Sequence, residues 1–201
     1  MTYDNALIAG KLRRWEKYLE RFRLPEWEAI PDIGLYMEQV TVLLKQYLDY
    51  MPPEMKEEEQ LITPSAINNY VRTKIMPGPD KKRYYRVHIA YLLMICTLKQ
   101  SLSISMIKRI IPVGISEEEV KQTYETYTKR HAMSAQRFVE EVRVAAAKIL
   151  EHDDANEYAV DSIDDLIFYS AVIGGWSRLF AEKLILLEGL TIENGGSIEI
   201  K

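Results

Sequence analysis

The chain of 201 residues has one cysteine, Cys96, so no intrachain disulfide can form and a reducing, cytoplasmic setting is expected. Its three histidines, His88, His131 and His152, have no Cys or carboxylate at metal-ligand spacing, so neither a metal nor a cofactor is expected. The longest strongly apolar run, 166–176, lies between Asp164-Asp165 and Arg178 and is too short to cross a bilayer. The first thirty residues alternate charged and apolar positions, unlike a secretory leader, so a soluble intracellular protein is expected. Gly174-Gly175 lacks the strand and loop of a phosphate site and reads instead as a close helix contact. No nucleophile stands beside a base: Cys96 sits among Leu92, Ile95 and Leu98 as an inert thiol. Glu140-Glu141 and Asp164-Asp165 read as a solvated face and helix-start charge rather than catalytic pairs. These absences predict a protein that is not an enzyme.

What is present is a helical pattern almost throughout. Hydrophobic residues make up 47% and charged residues 28%, enough apolar mass to close a core. Asp4 predicts a first helix to about Phe22, and Asp32 a second over 33–50; Pro52-Pro53 and the acidic run 54–59 then read as a linker. Thr63-Pro64 is a strong start for a short helix over 64–74, because the hydroxyl can cap a free amide and proline suits the first position. Pro77-Gly78-Pro79 ends it. Residues 80–86 read as two short strands with a tight tip, followed by helices over 87–100 and 103–111. Ser116 and Glu119 form a capping box for a helix of roughly 50 Å reaching His152. A last helix from Asp161 or Ser162 stops at Gly189, and 190–200 is either a hairpin or a tail.

Charge is unevenly spread. Residues 62–111 hold nine Lys or Arg against one acid, Asp80, a formal +8 in a chain of −4 that leaves −12 elsewhere. A basic segment inside an acidic chain predicts a negatively charged partner, and duplex DNA is the first to consider. The order short helix, turn, basic hairpin, helix, helix matches a winged helix-turn-helix. Turning Ile67 and Val71 inward exposes Ser65, Asn68, Asn69 and Arg72 on the 64–74 helix. Asn can pair with adenine and Arg with guanine in the major groove. Lys81, Lys82, Arg83 and Arg86 are then candidate phosphate ligands with Ser65, and Tyr84 a support beneath the wing. The competing reading is a solvated basic face, or a protein-interaction module that meets an acidic partner through the same fold.

The segment resembles the winged-helix domain of the MerR family of bacterial transcription regulators. That family's Ser/Thr-Pro start, Leu-Leu-Pro exit, Arg-x-Tyr wing and Leu-Ser-x-x-x-Ile ending correspond to Thr63-Pro64, Ile75-Met76-Pro77, Lys82-Arg83-Tyr84 and 102–107. It departs at the recognition helix, where Asn68-Asn69-Tyr70 stands for Arg-Tyr-Tyr, and in its longer first helix. A closer likeness starts at Leu24-Pro25-Glu26-Trp27 and runs through Val40 into the winged segment. This part resembles a bacterial family catalogued as domain of unknown function 1836, which covers about three quarters of the chain and implies a MerR-like DNA-binding regulator.

The expected fold class is therefore mainly α: a MerR-like winged helix-turn-helix with a small β wing, followed by long C-terminal helices. The expected division is 1–30, an N-terminal helix and linker; 31–114, the DNA-binding domain; and 115–201, a helical dimerisation or effector region. The resemblance implies a homodimer through 116–188, because MerR-like regulators pair through a long helix after the winged domain. Tyr124, Tyr127, Phe138, Phe168, Tyr169, Trp176 and Phe180 are candidates to line a small-molecule effector pocket, the plainer reading being core.

Overall fold

The computed structural model describes residues 3–50, 62–151 and 156–194. The acidic run 54–59, most of the turn expected at 152–156 and the last part, 195–201, of the expected hairpin or tail lie outside them. Seven α-helices are described: α1 Asn5–Arg21, α2 Met37–Tyr47, α3 Pro64–Arg72, α4 Arg86–Leu98, α5 Ile104–Ile110, α6 Glu117–Ala145 and α7 Ile163–Leu186. The protein is mainly helical. Among the described residues no helix is long and apolar enough to cross a membrane.

The helix starts follow local chemistry. Asp4, Thr63, Ser103, Ser116 and Ser162 each accept a backbone N–H with the side chain, satisfying one of the amides a first turn leaves open. Helix α2 departs from the expected start at Asp32. Leu35 instead exchanges two backbone hydrogen bonds with Tyr84, of 2.8 and 2.9 Å, which holds this stretch extended. The helix begins two residues later, with Gln39 Oε1 accepting from Tyr36 N at 2.9 Å.

Helix α4 is the axis of the fold. Every residue from His88 to Cys96 is buried, so it is surrounded on all sides rather than packed along one stripe. The same core contains Leu24, Trp27, Ile30, Val40, Leu44, Ile67, Ile107, Val120 and Tyr124, and so runs across the boundaries expected near 30 and 115. Tyr124 donates to Pro25 O at 2.8 Å, tying α6 to the segment before α2. Helix α1 lies on α6, where Trp15 and Phe138 meet edge to face at 5.5 Å and Arg143 pairs with Glu16 and Glu20.

Helix α6 ends at Ala145, short of the expected 152. The three alanines 145–147 are all buried; they let the chain turn so that Ala146 and Leu150 close a second small core against Ala9. Arg13 fastens the turn by donating to Leu150 O at 2.7 Å.

Candidate nucleic-acid interface

Helix α3 is built to show one polar face. Thr63 Oγ1 accepts from Ala66 N at 3.0 Å and Pro64 takes the first turn. Ile67 and Tyr70 are buried, so Tyr70 and not Val71 is the second inward anchor. Ser65, Asn68 and Arg72 are exposed and Asn69 is half-buried. Arg72 donates to Asn69 Oδ1 at 2.7 Å, making the two a single hydrogen-bonded unit on the helix surface.

The exit from α3 is tight. Lys74 adopts φ 56°, and Ile75 and Met76 then plunge into the core. His88 secures the following loop from α4. Its Nδ1 accepts from Tyr85 N at 3.0 Å, so Nε2 carries the proton and donates to Gly78 O at 2.9 Å. His88 thus ties the start of α4 to the loop after α3.

No regular strand occurs among the described residues; the strands expected over 80–86 are present as two isolated bridges. Asp80 and Arg83 exchange backbone hydrogen bonds of 3.1 and 2.8 Å around Lys81 and Lys82, which have φ 45° and 64°. Two successive left-handed residues make a type I′ turn, the hairpin geometry that normally selects Asn-Gly. Both lysines are exposed at its tip. Tyr84, 3% exposed, lies beneath them and meets His88 edge to face.

The two arginines are placed differently from the lysines. Arg83 donates to Gly34 O at 2.9 Å and to Tyr36 Oη at 2.8 Å, with its guanidinium 4.3 Å from the Tyr36 ring centre. Arg86 donates to Ile30 O at 2.9 Å and pairs with Glu28 at 3.2 Å; its side chain is 17% exposed. Lys121 also donates to Glu28, at 2.7 Å, and this bond chiefly holds the Glu28 carboxyl below its ordinary range, with Arg86 adding to it. Of the cations expected in the wing, Lys81 and Lys82 face solvent, whereas Arg83 and Arg86 brace the hairpin against the segment before α2.

Sequence reasoning missed three features here. Gly34 is needed because a Cβ there would stand 2.6 Å from Arg83 Cδ. Lys74 projects an exposed cation from the end of α3. Lys108 of α5 reaches Thr73 O at 3.4 Å, at the C-terminal end of α3 where carbonyls gather negative charge. Only Lys74 and Lys108 had a signal, as members of the basic segment.

Of the aromatics proposed for an effector pocket, Phe168, Tyr169 and Trp176 line one open cavity of about 510 Å³ beside α7, and the others are dispersed. Tyr124 is in the core, Tyr127 bonds Thr97 at 2.5 Å, and Phe138 meets Trp15 edge to face. Phe168, Trp176 and Phe180 stand exposed on α7. Gly174 and Gly175 have no described atom near enough to crowd an added Cβ, so the close contact expected there is not made within the described chain. Among the described residues no group of His, Cys, Asp and Glu could hold a metal ion.

No curated protein and no solved structure matches the chain. A family profile does, over residues 25–129, which include the segment that braces the hairpin, α2 to α5 and the first part of α6. The chain belongs to the family described as domain of unknown function (DUF1836).

Proposed function

We propose that residues 62–111 form a MerR-like winged helix-turn-helix that reads duplex DNA, and that the protein regulates transcription as a homodimer. The observation that carries this reading is the exposed polar face of α3, with Ser65, Asn68 and Arg72, next to a hairpin tip whose two lysines both face solvent. In it α3 enters the major groove, Asn68, Asn69 and Arg72 meet base edges, and Ser65, Lys81 and Lys82 hold phosphates. Asp80–Arg83 is the wing tip and Tyr84 its support. Arg83 and Arg86 fix the wing's position from behind.

The dimer is assigned to α7. Of its residues only Ile163 is buried, yet the helix is apolar around most of its circumference, a composition that calls for cover. Phe168, Val172, Trp176, Leu179 and Phe180, with Leu187 at its C-terminal cap, are exposed at helical spacing along one side of it. With about 150–250 Å² per aromatic side chain, and somewhat less for the aliphatic ones, their exposed parts amount to on the order of 700 Å². That is close to the roughly 800 Å² each partner of a standard interface buries, so a second copy of this chain is sufficient cover.

Charge reversal at the tip tests the DNA reading. Lys81→Glu with Lys82→Glu should abolish binding to duplex DNA while the circular dichroism stays unchanged; retained binding would remove the wing from the interface. One observation favours the second reading, a protein-interaction module without DNA binding. With Arg83 and Arg86 engaged internally, fewer cations remain for phosphates than the basic segment suggests.

A further inference from the structure

A cavity of about 800 Å³ opens between α6 and the C-terminal ends of α4 and α5. Its floor is apolar: Met94, Leu98, Ile110, Ile111, Pro112 and Ile115. The volume is within the range of small-molecule sites, about 300–1,000 Å³, and far beyond what a few ordered waters need. The opposite wall is one face of α6, and its charged residues differ in state. Glu119 is spent at the helix start, where its carboxylate accepts from Ser116 N and Oγ at 2.8 and 2.7 Å. Arg130, three turns further on and about 16 Å away at 1.5 Å per residue, is exposed, and no hydrogen bond or ion pair reaches it among the described residues. Beside it His131 lines the same cavity. Its Nδ1 is buried and has no partner among the described residues, while Nε2 is 3.5 Å from Tyr50 Oη.

We propose that this cavity binds an amphipathic monocarboxylate of the medium-chain fatty-acid class, its carboxylate on Arg130 and its chain over the Ile110–Ile115 floor. The chemistry follows from the lining. A continuous apolar floor favours a hydrocarbon body, and one uncommitted guanidinium at one end favours a single planar anion that it can bind through two parallel hydrogen bonds. A phosphate or nucleotide would leave the floor uncovered. A neutral hydrocarbon would leave Arg130 unused. Because α4 and α5 lie against the cavity, a ligand there touches the helices that support the basic hairpin and α3. The site stands independently of the DNA reading, and its test has no DNA in it.

The experiment is calorimetric titration of the full chain with decanoate and, separately, with 1-decanol. Decanoate should bind saturably, one per chain. Arg130→Gln should weaken it by about tenfold or more, the cost of a lost charge-assisted pair, and change decanol little. Thr126→Trp, which places an indole in the cavity from an exposed position, should remove both. Phe168→Ser with Phe180→Ser should alter neither, separating the cavity from the apolar side of α7. Non-saturable uptake, equal weakening of the two ligands by Arg130→Gln, or loss of binding on changing α7 and not Thr126 would each overturn the proposal.

Discussion

Replacing the two turn lysines with the pair their backbone prefers should make the protein more stable and a poorer DNA binder. Lys81 and Lys82 both have positive φ, 45° and 64°, and close a two-residue hairpin. A left-handed conformation costs an ordinary L-residue about 1–2 kcal/mol, whereas Asn tolerates it and Gly has no penalty. Neither side chain is buried, so Lys81→Asn with Lys82→Gly loses no packing. The double variant should gain about 1–3 kcal/mol, read as a higher urea midpoint with an unchanged slope, or as about 2–4 °C in Tm per kcal/mol for a chain of this size. On the proposed DNA reading, two phosphate contacts disappear at the same time. At about 0.9 counterion released per contact, the slope of log K against log salt should become shallower by about 1.8. Strain retained where the charge is used is what a functional hairpin tip predicts. Unchanged or lower stability would refute the turn assignment, and unchanged affinity with an unchanged salt slope would refute the phosphate role.

The remaining predictions concern positions with other roles. Arg86→Ala should destabilise the fold by about 1–3 kcal/mol in urea melts, since it leaves Ile30 O without its partner, leaves Glu28 with Lys121 alone and uncovers Trp27. A stable variant that merely loses DNA affinity would make Arg86 a phosphate ligand instead. Phe168→Ser with Phe180→Ser should shift sedimentation from dimer to monomer without changing helical content, and a dimer that persists would move the interface off α7. Burial lowers the His131 pKa below its ordinary 6.5, so the unfolded chain takes up a proton before the folded one does. Stability should therefore fall as pH drops through and below 6.5, and the fall should end once the folded imidazole also protonates. His131→Gln should flatten that part of the stability profile; an unaltered profile would place the acid sensitivity elsewhere.

Legibility in the sequence followed range. Thr63-Pro64 and Ser116 with Glu119 mark helix starts correctly, and of Asp161 and Ser162 the serine is the cap, because each cap lies within three residues of the amide it satisfies. The exposed side of α3 was readable for the same reason, since nine helical residues with two buried anchors leave little choice of face. Arg83 and Arg86 were not readable. Their partners, Gly34 O and Ile30 O, are 49 and 56 positions away, and a run of cations looks the same whether it faces a phosphate or a carbonyl. The start of α2 was lost to the pairing of Leu35 with Tyr84, a tertiary event that outweighs the capping preference of Asp32. The end of α6 was lost because alanines favour continuation of a helix, and only the meeting of Ala146 with Ala9 shows why the chain turns there. The cavity beside Arg130 joins three helices and has no sequence pattern of its own.

The proposed reading of duplex DNA by this chain is open to direct measurement. Its most direct test is fluorescence anisotropy of the purified protein against the DNA upstream of its own gene and a scrambled duplex, each at two salt concentrations. Tighter binding to the upstream duplex is expected, weakening steeply as salt rises, with Asn68→Ala eroding the preference between duplexes more than the affinity for the scrambled one. Absence of binding to either duplex at low salt would contradict the reading and leave the basic face to an acidic protein partner.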